Sequence, residues 1–290
     1  MIIIKVQGGL GNQLFQYSFG RLLEIEYKKE VAYDLSFYNT VNKYTVRKFL
    51  LDKFNTKMRI ATDEEIKQTK YPYGIFSKII IICKKALNKF VFKKYQVAYD
   101  TQLLPSLEKK SNVYLEGFWQ SYVYYNSIIE ELRKEITIKE NPNEQMNEYI
   151  KKINSDNSVS VHIRHGDYLS SGKDLQALPK DYYEKSVNYL ESKIIQPKYY
   201  IFSDDITWVE NSMGNIFQNA VYIKQGMFED YEEIILMSLC KNNIIANSSF
   251  SWWGAMLNIT KNNVVITPKD WKNIHFKGND NLCPKDWIRI

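Results

Sequence analysis

Polar and apolar residues alternate along Ser158-Val159-Ser160-Val161-His162-Ile163, the period of a strand with one face on a core. Ile2-Ile3-Ile4-Lys5-Val6 is almost wholly apolar, as a strand buried on both faces is. Past a glycine-rich stretch, Leu14, Phe15, Phe19, Leu22, Leu23 and Ile25 recur at roughly helical spacing. Glu30–Asp34 and Val113–Leu115 predict two further strands, and Val123–Ile136 a helix. Residues 39–105 predict an irregular, partly helical insertion. The second half is more regular. Strands are predicted over 159–164, 198–202, 220–224, 243–246 and 264–267, with helices over 181–192, 206–212, 228–239 and 249–258 between them. Repeated strand–helix units imply a parallel, doubly wound α/β sheet. Ile138–Asn157 is polar and contains Pro142, which puts a boundary between domains 1–150 and 151–290.

A chain of 290 residues can bury one large core or two ordinary ones. Its net charge of +6 suits an anionic ligand, a membrane surface or nucleic acid, but no nucleic-acid module motif is present. Cys83, Cys240 and Cys283 are far apart and lack metal spacing, so a reduced, cytoplasmic protein is expected. Met1 leads straight into the first strand, so no signal peptide is expected. No apolar run reaches the roughly 20 residues that span a bilayer. The 22 tyrosines and 6 tryptophans can stack on sugars, although most should be core or rim.

Three segments carry candidate chemistry. His162-Ile163-Arg164-His165-Gly166-Asp167 sets a cation at the end of a strand, where a sheet opens onto ligands. The planar fork of Arg164 suits a phosphate; a surface ion pair with Asp167 is the plainer alternative. Gly8-Gly9-Leu10-Gly11-Asn12-Gln13 joins a strand to a helix, which presents backbone N–H groups to an anion, or is merely a tight turn. It lacks the Lys-Ser/Thr pair of a P-loop, and Leu14 is too bulky for a dinucleotide fingerprint. Asn247-Ser248-Ser249-Phe250-Ser251-Trp252-Trp253 runs from a short strand into an apolar helix. Its serines can cap that helix or hold a phosphate.

Together, Gly8–Tyr17, His162–Tyr168 and Asn247–Ala255 resemble the alpha-1,2-fucosyltransferases of the inverting glycosyltransferase family 11. Smaller matches are Tyr114–Ser121 and Phe202–Asp205. The likeness runs in order over nearly the whole chain. It departs at His165, where the family often has a second arginine. The resemblance implies a GT-B-like fold, two Rossmann-like lobes with parallel sheets facing across a crevice. It also implies transfer of L-fucose from GDP-fucose to the 2-hydroxyl of a terminal β-galactoside, with no metal or other cofactor. Under it, the donor contacts are Gly9, Gly11, Asn12, His162, Arg164, Asp204, Asp205, Glu233, Ser248, Ser249 and Phe250. Arg164 holds the leaving diphosphate. Glu233 reads guanine by the spacing seen in related enzymes; its neighbours Glu229, Asp230 and Glu232 suit the helix dipole. Asp167 is the expected general base, with His165 and Asp34 as alternatives. The acceptor contacts are Asp34, Glu116, Trp119 and Gln120, with Tyr122 beside them, and Trp119 suits a core equally well. Asp204 and Asp205 are adjacent, so as strand residues they would point oppositely and not share a metal; one of them suits a helix N-cap.

Other readings rest on single features. Asp34 stands near where a dinucleotide fold carries its ribose-binding acid, which suggests an oxidoreductase. Six lysines and no acid lie between Ser77 and Tyr95. The segment Ile79–Lys94 therefore reads as a basic element touching an anionic membrane, or as a helix with a solvated lysine face. It also motivates a non-catalytic nucleotide-sugar binder at the membrane. A fucosyltransferase of another linkage would share the arginine motif.

Overall fold

A computed structural model describes residues 1–39, 47–70, 113–166, 177–271 and 281–290. The segment Ile79–Lys94, Cys83 and Asp167 lie outside the described residues. The chain divides into compact units Met1–Ile136 and Thr137–Ile290.

In the first unit, β1 (Ile2–Lys5) is followed by α1 (Leu10–Ile25), β2 (Val31–Asp34), α2 (Asp63–Lys70), β3 (Val113–Leu115) and α3 (Ile129–Glu135). The strands are parallel in the order β2-β1-β3, with Ile2 opposite Val31 on one side and Val113 on the other. Leu14, Phe15, Phe19, Leu22 and Leu23 of α1 are buried, as their spacing predicted. Gly20 faces the Tyr33 hydroxyl so closely that no Cβ fits. The expected helix over Val123–Ile136 is shorter. Tyr122–Tyr124 and Asn126–Ile128 are 3-10 turns, and only Ile129–Glu135 is α-helical. Beneath α1 lies a buried ionic cluster. Glu135 is 3% exposed and accepts from Arg21 Nε at 2.9 Å and Arg21 Nη2 at 2.8 Å. The Tyr17 hydroxyl and Lys57 Nζ complete it.

In the second unit, α4 (Glu144–Ser155) precedes β4 (Ser158–Ile163), α5 (Lys180–Glu191), β5 (Lys198–Ser203), α6 (Ile206–Met213), β6 (Ala220–Tyr222) and α7 (Asp230–Leu239). Then come β7 (Asn242–Ile244), α8 (Ser249–Met256), β8 (Val265–Thr267) and β9 (Ile288–Arg289). The sheet is parallel in the order β6-β5-β4-β7-β8-β9. The expected boundary after residue 150 moves upstream, because α4 belongs to this unit. Asn143 caps it by accepting from the Met146 N–H at 2.8 Å, and Met146 and Ile153 are buried with Tyr200, Phe202 and Met237. Buried amides lock the layers together. Asn243 donates to Ser160 Oγ at 2.7 Å and to Met237 O at 2.9 Å, and Asn258 donates to Asn243 Oδ1 at 2.8 Å. A Cβ on Gly254 would come within 2.8 Å of Met237 Cβ, so glycine permits α7 and α8 to pack at this distance.

Candidate active site

In an open parallel sheet, ligands bind outside the carboxyl ends of the strands, where the strand order reverses. Here the order reverses at β4, with β5 on one side and β7 on the other. The carboxyl end of β4 leads to Arg164, that of β7 to Ser248-Ser249 and that of β5 to Asp204-Asp205. The topology therefore gathers at one edge three motifs that are far apart in sequence.

The pairing of β4 with β5 ends with Ile163 opposite Ser203. Continued past the sheet, it brings 164 beside 204 and 165 beside 205. Arg164 Nε lies 3.7 Å from Asp204 Oδ2, and the other Asp204 oxygen accepts from the His165 N–H at 2.9 Å. Asp205 Oδ2 meets His165 Nδ1 at 3.0 Å, while Asp205 Oδ1 caps α6 by accepting from the Trp208 N–H at 3.1 Å. The cap anticipated for one of the two acids is thus Asp205. These carboxylates are occupied by the chain's own donors. Among the described residues, no group of three or more His, Cys, Asp or Glu side chains converges as a metal site would.

Behind Arg164, His162 is 3% exposed and its ring lies 5.5 Å from that of Phe250. Burial, with the Arg164 charge added, holds this imidazole neutral; Asp204 opposes the shift only in part. On α7 the acids separate by role. Glu232 reaches back to the Glu229 N–H at 2.9 Å, the reciprocal arrangement of a capping box. Glu233 takes no part in that cap. It is pushed up to about 8, by burial first and then by Asp230, while Arg164 pulls it down. An arginine close enough to act on Glu233 puts a guanidinium and a largely buried carboxyl in one neighbourhood. Ser248 caps α8, accepting from the Phe250 N–H at 3.3 Å, and Ser249 begins that helix half-exposed.

In the first unit, the order again reverses at a central strand, β1. Gly8 takes a positive φ of 86°, and Gly9 starts α1 without a side-chain cap. Gly11 is buried; Asn12 is half-buried and its Oδ1 accepts from Gln120 Nε2 at 2.7 Å. This joins two expected contact residues. Glu116 is paired with Lys5 at 2.6 Å and remains 45% exposed. Tyr122 is half-exposed. Two expected acceptor contacts are instead structural. Trp119 is fully buried and stacked on Phe19 at 4.7 Å. Asp34 is fully buried, with one oxygen taken by the Tyr114 hydroxyl at 2.5 Å and the other by the Ser36 N–H at 2.8 Å. Asp34 is therefore unavailable as an acceptor base or as the ribose acid of a dehydrogenase.

Motif residues that the sequence reading left without a role are struts. Gln13 donates to Lys48 O at 2.8 Å and accepts from the Leu50 N–H at 3.0 Å; Gln16 donates to Gly117 O at 2.9 Å. Both glutamines are fully buried and tie the glycine loop to its neighbours. Trp208 was also missed: its ring lies flat against His165 at 3.8 Å, with 9° between the planes. Its position three residues after an Asp N-cap was the available signal.

The sequence matches Glycosyl transferase family 11 over residues 1–290. It is 34% identical over 302 residues to an alpha-1,2-colitosyltransferase of Escherichia coli, covering 100% of this chain and 99% of that one. It is 32% identical over 308 residues to the O-antigen biosynthesis glycosyltransferase WbnK of Escherichia coli, covering 98% and 99%. Among solved structures, the NodZ alpha-1,6-fucosyltransferase soaked with GDP-fucose aligns with a TM-score of 0.50 at 12% identity, over 88% of this chain and 92% of that one. At that identity the likeness speaks to fold alone, and the expected GT-B-like class of two Rossmann-like lobes holds. A full-length family match and two full-length relatives above 30% identity make this chain a glycosyltransferase and a member of glycosyl transferase family 11.

Proposed function

We propose that the protein transfers a 6-deoxy-L-hexose, L-fucose in the first instance, from its GDP-activated form to the 2-hydroxyl of a terminal β-galactoside, with inversion and without a metal. One observation carries the reading: Arg164 at the end of β4 sits within electrostatic reach of Glu233, a carboxyl left over from the capping of its own helix. A guanidinium suits a diphosphate. A lone carboxylate suits the adjacent N1–H and exocyclic amine donors of guanine, as acids accept from base edges elsewhere.

In the proposed reaction, the bond from the sugar's anomeric carbon to the β-phosphate oxygen breaks, and its electron pair leaves with GDP. Arg164 stabilises that growing charge, aided by backbone N–H groups before α8. The acceptor oxygen attacks the opposite face and gives up its proton. Asp167 is our choice of base, by its place in the motif. An advanced leaving-group departure lightens the demand on that base. Glu116 and Gln120 are the acceptor-side candidates that keep an exposed or linked polar group, Gln120 being tied to the donor-side Asn12.

Colitose is a specific alternative, because a relative at 34% identity is named for its transfer. It is L-fucose without the 3-hydroxyl, so both donors present the same GDP to Arg164 and Glu233. A relative at 32% identity is named for O-antigen biosynthesis, which supports a bacterial surface glycan as acceptor; action at the cytoplasmic face of the membrane is part of the same proposal. Among the described residues, no helix is long and apolar enough to cross a membrane.

The guanine assignment predicts a pH dependence. Glu233 is largely protonated below its folded value of about 8, whereas guanine's two donors favour the carboxylate. Affinity for GDP should therefore rise with pH, by up to about tenfold per unit below that value, and level off above it. Glu233→Gln should abolish the rise and weaken GDP by about 1–3 kcal/mol while leaving ADP unchanged. Calorimetric titration of both nucleotides checks this; equal weakening of GDP and ADP would assign Glu233 to the helix terminus. Turnover should also survive EDTA. Its abolition, with rescue by Mg²⁺ or Mn²⁺, would overturn the metal-free reading.

A further inference from the structure

Strands β1 and β3 are parallel neighbours, with Ile4 opposite Leu115, so the segments that follow them leave the sheet at the same edge. The Lys5–Glu116 pair is the first contact beyond it. Two amide bridges then tie the glycine loop and its helix to the segment after β3. Gln16 accepts from the Gln7 N–H at 2.9 Å and donates to Gly117 O at 2.9 Å. Gln120, 5% exposed, donates to Asn12 Oδ1 at 2.7 Å. Between these bridges stands Trp119, which is unfavourable in two ways. Its backbone lies in the left-handed region, at φ 48°, where a bulky side chain is a genuine outlier. Its indole N–H is buried without an acceptor among the described residues. Such a conformation persists only where the surroundings over-determine it. Here the ring is stacked on Phe19 with 4° between the planes, and Trp119 O accepts from the Tyr125 hydroxyl at 2.5 Å and the Ser121 N–H at 3.0 Å. Burying a tryptophan does not call for a left-handed backbone. Turning the chain sharply does, and the residue so turned is Gln120.

We infer that Gln120 is a positioning residue for the Asn12 amide, held in place by the left-handed turn at Trp119. The role rests on the sugar-transfer reading above, in which Asn12 borders the reacting groups. An amide has two ends of opposite polarity. With Oδ1 engaged by Gln120, the Asn12 amide is set with its donor end, Nδ2, against the glycine loop. A Cβ on Gly8 would meet that nitrogen at 2.8 Å, so glycine at this position, with its φ of 86°, leaves the amide its place. The loop beneath is itself fixed, because Gly8 O accepts from Gln13 at 3.1 Å and from the Tyr38 hydroxyl at 3.0 Å. A donor held there suits an oxygen of the sugar or of its phosphate. An amide free to rotate would offer either end. Setting the donor before substrate arrives removes that reorganisation from the reaction. Gln120 thus acts through Asn12 and need not touch the acceptor itself.

A double-mutant cycle in sugar-transfer kinetics, with thermal unfolding of every variant, tests this. Gln120→Met keeps the volume but removes the donor, and should lower kcat by about tenfold with little change in KM, as a misaimed group does. Asn12→Ala should lower kcat at least as far. Adding Gln120→Met to Asn12→Ala should cost nothing further, since no amide is left to aim. Gln120→Glu keeps the size and a hydrogen bond, but a carboxylate only accepts, so the Asn12 amide must turn over. A mere strut would tolerate that exchange; here kcat should again fall by about tenfold. Tyr125→Phe releases Trp119 O and should reproduce the loss, again without effect in Asn12→Ala. Losses that multiply in the cycle overturn the role and make Gln120 an acceptor contact in its own right. Normal kcat in Gln120→Glu, or a Gln120→Met protein that does not fold, reduces Gln120 to a strut and overturns it too. Tyr125→Phe that loses stability but not kcat removes the Trp119 turn from the role. Wild type that transfers no sugar fails the sugar-transfer reading; wild type that transfers sugar while the losses multiply fails this inference alone.

Discussion

Arg164→Ala should lower kcat/KM for sugar transfer by about 10²- to 10³-fold, the usual cost of removing one donor aimed at developing charge. The effect should fall on kcat more than on KM, because the leaving phosphate gains its charge only as the sugar bond breaks. Arg164→Lys separates charge from geometry. An ammonium keeps the charge but loses the planar fork, so a loss of at least tenfold, about 1.4 kcal/mol, is expected. Steady-state kinetics with saturating acceptor check both variants. Near-normal turnover in Arg164→Lys would take Arg164 out of the leaving-group role and leave it as the ion-pair partner of Asp204.

The second large effect is on stability. Glu135→Ala should destabilise the first unit by about 3–5 kcal/mol, because it leaves the Arg21 guanidinium buried without its bidentate partner. Arg21 still holds Glu24, so the lower end is expected. The cluster also gives a sign to the acid limb. Burial alone would raise the Glu135 carboxyl, but hydrogen bonds from Arg21 and Tyr17 outweigh it and hold it below the ordinary value. A carboxyl lowered on folding contributes stability that is present above its unfolded value and is lost as pH falls through its folded one. Wild type should therefore lose more stability than Glu135→Ala as pH drops through that range. Denaturant unfolding at several pH values measures it, and parallel curves would deny Glu135 its role. Neither Tyr17 nor Glu135 is in the candidate site, so GDP affinity at saturating stability should be unchanged.

Much of the second unit was legible because its strands obey simple periods. Ser158–Ile163 alternates, and the runs at 198–203 and 243–246 are short, apolar and bounded by turn residues. The helix Glu144–Ser155 was hidden by its polarity. Only Met146 and Ile153 are buried, and the proline before its Asn143 cap reads as a linker when packing is invisible. The two-residue strand β9 is too short to have a period at all. In the first unit, the glycine loop and its helix were clear. The break of Tyr122–Ile128 into 3-10 turns was not, because its apolar residues fit a helix equally well.

The candidate site was legible in its cations and much less so in its supports. Arg164 stood out because a strand period ends beside it. Glu233 was set apart from its three acidic neighbours only by the spacing that the family resemblance supplies; the residues themselves did not distinguish it, and the capping geometry now occupies Glu229 and Glu232. Asp34 was misread, and the choice between site and core for Trp119 stayed open, for one reason: burial depends on which neighbours close over a side chain. Tyr114 covers Asp34 from another strand, and Phe19 covers Trp119 from α1. Gln13 and Gln16 show the converse, polar motif residues whose work is entirely internal.

Transfer of a GDP-activated 6-deoxy-L-hexose to the 2-hydroxyl of a β-galactoside is the activity proposed for this chain. The direct measurement is to incubate the protein with GDP-fucose, or with GDP-colitose, and a panel of β-galactosides, and to determine the product linkage by NMR. We expect stoichiometric GDP release and an α-linked sugar on O2 of the terminal galactose. Binding of GDP-fucose without consumption, or a product joined through any other hydroxyl, would contradict the account.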